Sequence, residues 1–231
     1  MSELQLMIKL GVTMAFLEIF DRVADHIRQQ GVKVTFKRGK PLIPSAIERS
    51  RTESLIPIPE SMAEFYPEVG DGLVFSWTAN GDGAAFGNNR FPKLADCTVK
   101  SLDELKWKIE WTDSYDFRFT DNPMLAKETA LKMRKWMPFH TEANGDTFCL
   151  DTAIDPAPVV FNQHDWFDGG TGENGHLISN SLVEFYRDWS QVCFQFPKGL
   201  WWPGVLKKSE GGVDWNSAEF QKPFRLETGD N

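Results

Sequence analysis

Trp136-Met137-Pro138-Phe139-His140-Thr141-Glu142-Ala143-Asn144-Gly145-Asp146-Thr147-Phe148-Cys149-Leu150-Asp151 is the stretch on which the fold of this chain turns. An apolar run reaches Asn144-Gly145, resumes as the short alternating run Thr147-Phe148-Cys149-Leu150, and stops at an acid. Asn-Gly between two apolar runs matches the tight reversal of paired strands, because both residues tolerate the left-handed backbone that such turns need. The stretch is read as a β-hairpin.

Outward from the hairpin the same idiom continues. Val159-Val160-Phe161-Asn162 reads as another buried strand, His164-Asp165-Trp166 follows, and Ser181-Leu182-Val183-Glu184-Phe185 opens a helix. Upstream, Ser45 and Glu48 have capping-box spacing, Ile58-Pro59 precedes a helix carrying Met62, Phe65 and Tyr66, and Asn80-Gly81-Asp82-Gly83 turns the chain after a strand from Leu73 to Ala79. In order and spacing, from Ser45 to Phe196, these pieces resemble the SUKH superfamily, which includes the fungal Smi/Knr cell-wall regulators and bacterial immunity proteins against polymorphic toxins. The resemblance implies an α+β fold, with a mixed, mostly antiparallel central sheet and helices on one face. It implies a core over 45–196, from which the region near 96–135 departs as a long insertion. An added N-terminal helix and strand over 1–44 and a C-terminal extension over 197–231 flank that core.

At 231 residues the chain can bury one substantial core, so a single domain with elaborations is the default. Aromatic content is 13%, with 9 Trp and 18 Phe, which supplies large apolar areas for a core or an interface. Cys97, Cys149 and Cys193 are odd in number, far apart and set among apolar residues, as expected of reduced thiols rather than disulfides or a zinc site. No apolar run reaches membrane-spanning length, and Met1 to Lys9 lacks a secretory pattern, so a cytoplasmic protein without a membrane partner is expected. The formal charge of -8 is uneven: between Thr141 and Ser190 nine acids face Arg187 alone. That stretch disfavours nucleic acid and favours a basic partner.

Periodicity fills in the rest. Leu4, Ile8, Val12, Ala15, Phe16, Ile19, Val23 and Ile27 describe an amphipathic helix stopped at Gly31, and Val32, Val34 and Phe36 a short strand. Ser101 and Glu104 form a second capping box, and Asn122-Pro123 starts a helix through Leu125, Thr129, Met133 and Trp136. The helix from Ser181 is expected to bury Leu182, Phe185, Tyr186, Trp189 and Cys193 and to end at Pro197 and Gly199.

Chemistry is sparse. His26, His140, His164 and His176 have no ligand spacing and no adjacent nucleophile. His164-Asp165 has the composition of a base with its orienting carboxylate, but neighbours on a strand point to opposite faces. Asp165, Asp168 and Glu173 among glycines lack the alternate acids of a calcium loop, and the glycines at 81 and 83 lack the lysine of a phosphate loop. No cofactor is expected. The resemblance implies a non-catalytic binding domain, an immunity protein that occludes a cognate basic toxin, or alternatively a Smi/Knr-like signalling or cell-wall adaptor. A carboxylate-dependent glycosidase is the enzymatic alternative. The partner-binding residues expected within the acidic stretch are Asp151, Asp155, Asp165, Asp168 and Glu173 as charges, with Trp166 and Phe167 as aromatic anchors.

Overall fold

A computed structural model describes residues 16–54, 57–79, 86–114, 116, 118, 122–164 and 173–226. Among them the chain runs α1 (Phe16–Gln29), β1 (Val34–Arg38), α2 (Pro44–Glu53), α3 (Glu60–Glu68), β2 (Leu73–Thr78), β3 (Phe86–Phe91) and α4 (Leu94–Ser114). It continues through α5 (Pro123–Met133), β4 (Trp136–Thr141), β5 (Thr147–Asp151), β6 (Val159–Asn162), β7 (Leu177–Ser179) and α6 (Leu182–Ser190). The class is α+β. Where one central sheet was expected there are two antiparallel ones, ordered β1-β2-β3 and β4-β5-β6-β7. β3 and β4 touch, with Phe91 and Phe139 stacked at 5.7 Å, but share no ladder. Pro138 has no N–H to give, and the β4–β5 register shifts between Pro138 and His140, which interrupts a regular edge there.

Helices cover both faces of the second sheet rather than one. Phe148, Leu150, Val159 and Phe161 point into a large core with Leu182, Phe185, Tyr186 and Trp189 of α6. The alternate residues Cys149 and Val160 pack with Trp136, Ala126, Ala130 and Met133 under α5. All five residues of β5 are therefore buried, and the polar-out alternation of a one-sided sheet is absent. α5 turns its small face inward, burying Ala126 and Ala130, while Leu125 of the expected stripe is 44% exposed.

Several local expectations shift for physical reasons. Ser45 and Glu48 form no capping box: Pro44 takes the first helical turn of α2, so the cap falls on Ile43 and no side chain serves it. Pro59 is the cap residue of α3 rather than its first turn. Ser101 and Glu104 lie inside α4, which starts at Leu94, where Asp71, just before β2, accepts from Leu94 N through Oδ1 at 2.8 Å. α6 does begin as expected, with Ser181 accepting from Glu184 N, but ends at Ser190. Cys193 and Phe194 beyond it adopt positive φ, 53° and 57°. The turn Asn80 to Gly83 and the helical positions Leu4, Ile8, Val12 and Ala15 lie outside the described residues.

Neither flank is an appendage. Phe16, Ile19, Phe20, Val23 and Ile27 of α1, and Trp202, Val205, Leu206, Val213 and Phe220 of the C-terminal segment, belong to the same buried cluster as Phe148 and Trp189. Cys97, Cys149 and Cys193 are buried and form no disulfide.

Candidate protein-binding surface

The hairpin turn is a polar lock. Glu142 N donates to Asp146 O at 2.8 Å and Gly145 N to Glu142 O, with Gly145 at φ +98°, a conformation that suits glycine. Asp146, 1% exposed, accepts from Asn144 Nδ2 through one oxygen. Its other oxygen accepts from His164 N at 3.0 Å and lies 2.9 Å from His164 Nδ1. His164 is thus paired with Asp146. The chain beyond is held at a neck: Gln163 N donates to Asn174 Oδ1, Asn174 Nδ2 to Gln163 O, and Glu173 N to Gln163 Oε1. Asp165, Trp166, Phe167 and Asp168 lie between these anchors, outside the described residues. Glu173 forms an ion pair with Lys208 at 2.8 Å.

Asp151 and Asp155 are elsewhere. β5 and β6 pair with Leu150 opposite Val159 and Thr147 opposite Asn162, so the loop after Asp151 and the neck at Gln163 leave opposite ends of the sheet. The expected acidic face is therefore two separate places. Asp151 is itself largely buried and its carboxylate accepts from Ala153 N at 3.1 Å, which makes it a turn-forming residue. Asp155 is exposed, and Ile154 beside it is 53% exposed. Together with Pro57, Ile58 and Pro59, which lead into α3, they line a groove of about 280 Å³, with the Arg51–Glu60 ion pair on its margin. Apolar walls with a charged rim suit a partner's side chain.

The charge of the stretch is also less exposed than its sequence implies. Glu142, like Asp146 and Asp151, is buried, and its Oε1 lies 2.9 Å from His140 Nε2 and accepts from Trp202 Nε1 at 3.2 Å. The imidazole sits edge-on to Trp189 at 5.3 Å and stacks on Phe196 at 6.1 Å. This closed strut ties the hairpin to the C-terminal segment. Its members carry catalytic chemistry by type, yet Glu142 and Asp146 point inward, where no glycosidic oxygen can meet them. Sequence reasoning missed Asp146 as the partner of His164, although Asn-Gly-Asp signalled a turn. It also missed Trp202, for which the aromatic run Trp201-Trp202-Pro203 was the available sign.

Among the described residues no three His, Cys, Asp or Glu side chains gather as a metal site, and no helix is long and apolar enough to cross a membrane. No protein-family model matches the chain, and neither a curated protein nor a solved structure does.

Proposed function

We propose that this chain is a non-catalytic protein-binding domain of SUKH type, an immunity protein that neutralises a cognate basic toxin by covering its working surface. The resemblance of the hairpin, the following strand and the Ser181 helix to that superfamily motivates the reading, and the α+β class agrees with it. The observation that carries it is the groove at Ile154 and Asp155, an exposed apolar side chain beside an exposed carboxylate over an apolar floor. Such a surface offers one anchor position and one steering charge. Glu173, at the neck at the opposite end of the sheet, and Asp165, Trp166, Phe167 and Asp168, which precede it in sequence, are a second candidate contact. Separation of the two ends makes them independently testable.

The test is binding to the toxin encoded beside this gene, followed as association and dissociation rates at two ionic strengths. Ile154→Ser is expected to speed dissociation, as loss of a desolvated anchor does. Asp155→Asn is expected to slow association and flatten its salt dependence. The pair Asp165→Asn and Asp168→Asn probes the second candidate contact in the same way. If none of these variants alters either rate, the proposed surface is wrong. Hydrolysis of glycan or nucleic acid by purified protein, abolished by His164→Ala or Asp146→Asn, would replace the binding reading with an enzymatic one, since a carboxylate-oriented imidazole is the geometry of a general base.

A further inference from the structure

A cavity of about 600 Å³ opens between the second half of α1 and the segment from Lys222 to Leu226. Arg22 and His26, one turn apart on α1, form one wall, and Lys222 and Arg225 the other. Among the described residues no acidic side chain lines it, in a chain of net charge -8. None of the three cations has a carboxylate partner among the described residues. Arg22 reaches only Ser190 Oγ at 3.4 Å, while Arg225 donates to Asn216 Oδ1 and to the carbonyls of Ser217 and Phe220. Nε of Arg22, Nε of Arg225 and Nε2 of His26 are shielded from solvent with no hydrogen-bond partner. Burial lowers the pKa of the Arg22 guanidinium below its ordinary value. Guanidinium groups taken out of water are ordinarily matched by an anion, and here Glu18, one turn back on α1, pulls on Arg22 without reaching ion-pair distance.

The walls are built rather than accidental. Gln195 Nε2 donates to the carbonyls of Gln221 and Phe224, Gln195 Oε1 accepts from Gln221 N, and Leu226 N donates to Gln191 O at 2.9 Å. These bonds hold the Lys222–Arg225 side against the end of α6. The Phe224 ring also packs on Trp77 at 4.8 Å.

We propose that this cavity binds a small phosphomonoester. The Arg22 guanidinium, whose one hydrogen bond among the described residues is to Ser190 Oγ, matches the oxygens of a phosphoryl group, Arg225 adds a fixed positive charge, Lys222 a mobile one, and His26 a further polar contact. A phosphomonoester carries close to two negative charges near neutral pH, which suits three cations better than a single carboxylate does. The cavity also has the size of a metabolite site rather than of a bare ion. The site lies apart from the Ile154 groove, and its occupation is independent of the protein-binding proposal.

Isothermal titration of the full chain with inorganic phosphate and with glycerol phosphate, at constant ionic strength and with chloride as comparator, tests the proposal. Saturable binding of both esterified and free phosphate is expected, tighter for glycerol phosphate and absent for chloride. Arg22→Gln and Lys222→Gln are each expected to weaken it by roughly tenfold or more, the effect of losing one charge-assisted contact. Lys132→Gln, whose side chain pairs with Glu128 on α5, is expected to leave it unchanged. Lys222 is exposed, so its variant serves even if Arg22→Gln perturbs folding. Unsaturable heats, an equal response to chloride, or phosphate binding retained in the Arg22→Gln, Lys222→Gln double variant would overturn the proposal.

Discussion

At the scale of single residues, two features set expectations that stability measurements can check. Trp202 fills the core with its ring against Phe148 and Trp189 and donates to the buried Glu142 carboxylate. Trp202→Phe keeps an aromatic ring but leaves that carboxylate one donor short, at a cost of about 1–3 kcal/mol, whereas Trp202→Ala adds a cavity and is expected to cost about 3–5 kcal/mol. Urea denaturation of the two variants separates the contributions. The second feature is alkaline sensitivity. Burial pushes the Cys193 thiol from 9.0 up to about 12, against an opposing pull from Arg22, and burial likewise holds the Tyr66 and Tyr186 hydroxyls well above 10.0. A group whose pKa is raised by folding contributes its stabilisation fully below the unfolded value and loses it as pH rises through the folded one. Stability is thus expected to fall as pH climbs from about 9 towards 12, and Cys193→Ala to make the urea midpoint less pH-dependent over that window.

At the scale of elements, caps come from a distance. Asp71 caps α4 across the loop from β2, and Glu68 Oε1, at the end of α3, accepts from Leu17 N at 2.6 Å in the first turn of α1. Asp71→Ala is expected to destabilise by about 1 kcal/mol and Asp71→Asn by much less, since either side chain can accept from the helix N–H. The same corner has a tight crossing of two loops. A Cβ on Gly39 would meet Asp71 O at 1.9 Å, and one on Gly70, at φ +118°, would meet Gly39 O at 2.4 Å. Backbone on both sides leaves nothing to rotate away, so Gly39→Ala is expected to cost several times the roughly 1 kcal/mol scale of an ordinary glycine replacement. Thermal melting of the variant beside Gly31→Ala, where space is open and the penalty comes from the left-handed φ of +74°, compares a steric clash with backbone strain.

At the scale of the molecule, one buried cluster links the first described helix to the last described segments. A chain ending after Phe196 would lose Trp202, Val205, Leu206, Val213 and Phe220 from that cluster. It is expected to bind a hydrophobic dye and to melt without a cooperative transition, as a protein whose specific packing is lost does. The charge layout leads to a further expectation about association with a basic partner. Because Asp155 and the neck at Glu173 stand at opposite ends of β5 and β6, neutralising one end is expected to alter the salt dependence of association independently of the other.

The hairpin, the strand at Val159, the Ser181 cap and the α+β class were legible in the sequence, because turn residues, alternation and capping act over a few positions and need no distant partner. The periodicity of α1 was legible for the same reason over Phe16 to Ile27. What the sequence could not carry was decided by contacts made far along the chain. Strict alternation would place His140 on the same face as Pro138. The bulge instead sets His140 opposite Phe148, on the core face, where Glu142 and Trp202 complete its surroundings. Acids counted as a surface patch became internal struts once Asp146 met His164 and Glu142 met Trp202. Helix α4 starts where Asp71 offers a cap rather than where Ser101 and Glu104 match a pattern. Local signals determine which segments are helix, strand or turn, because they depend on backbone sterics. Only tertiary structure decides which charges are buried and which ends of a sheet share a surface, because those depend on partners that sequence distance does not reveal.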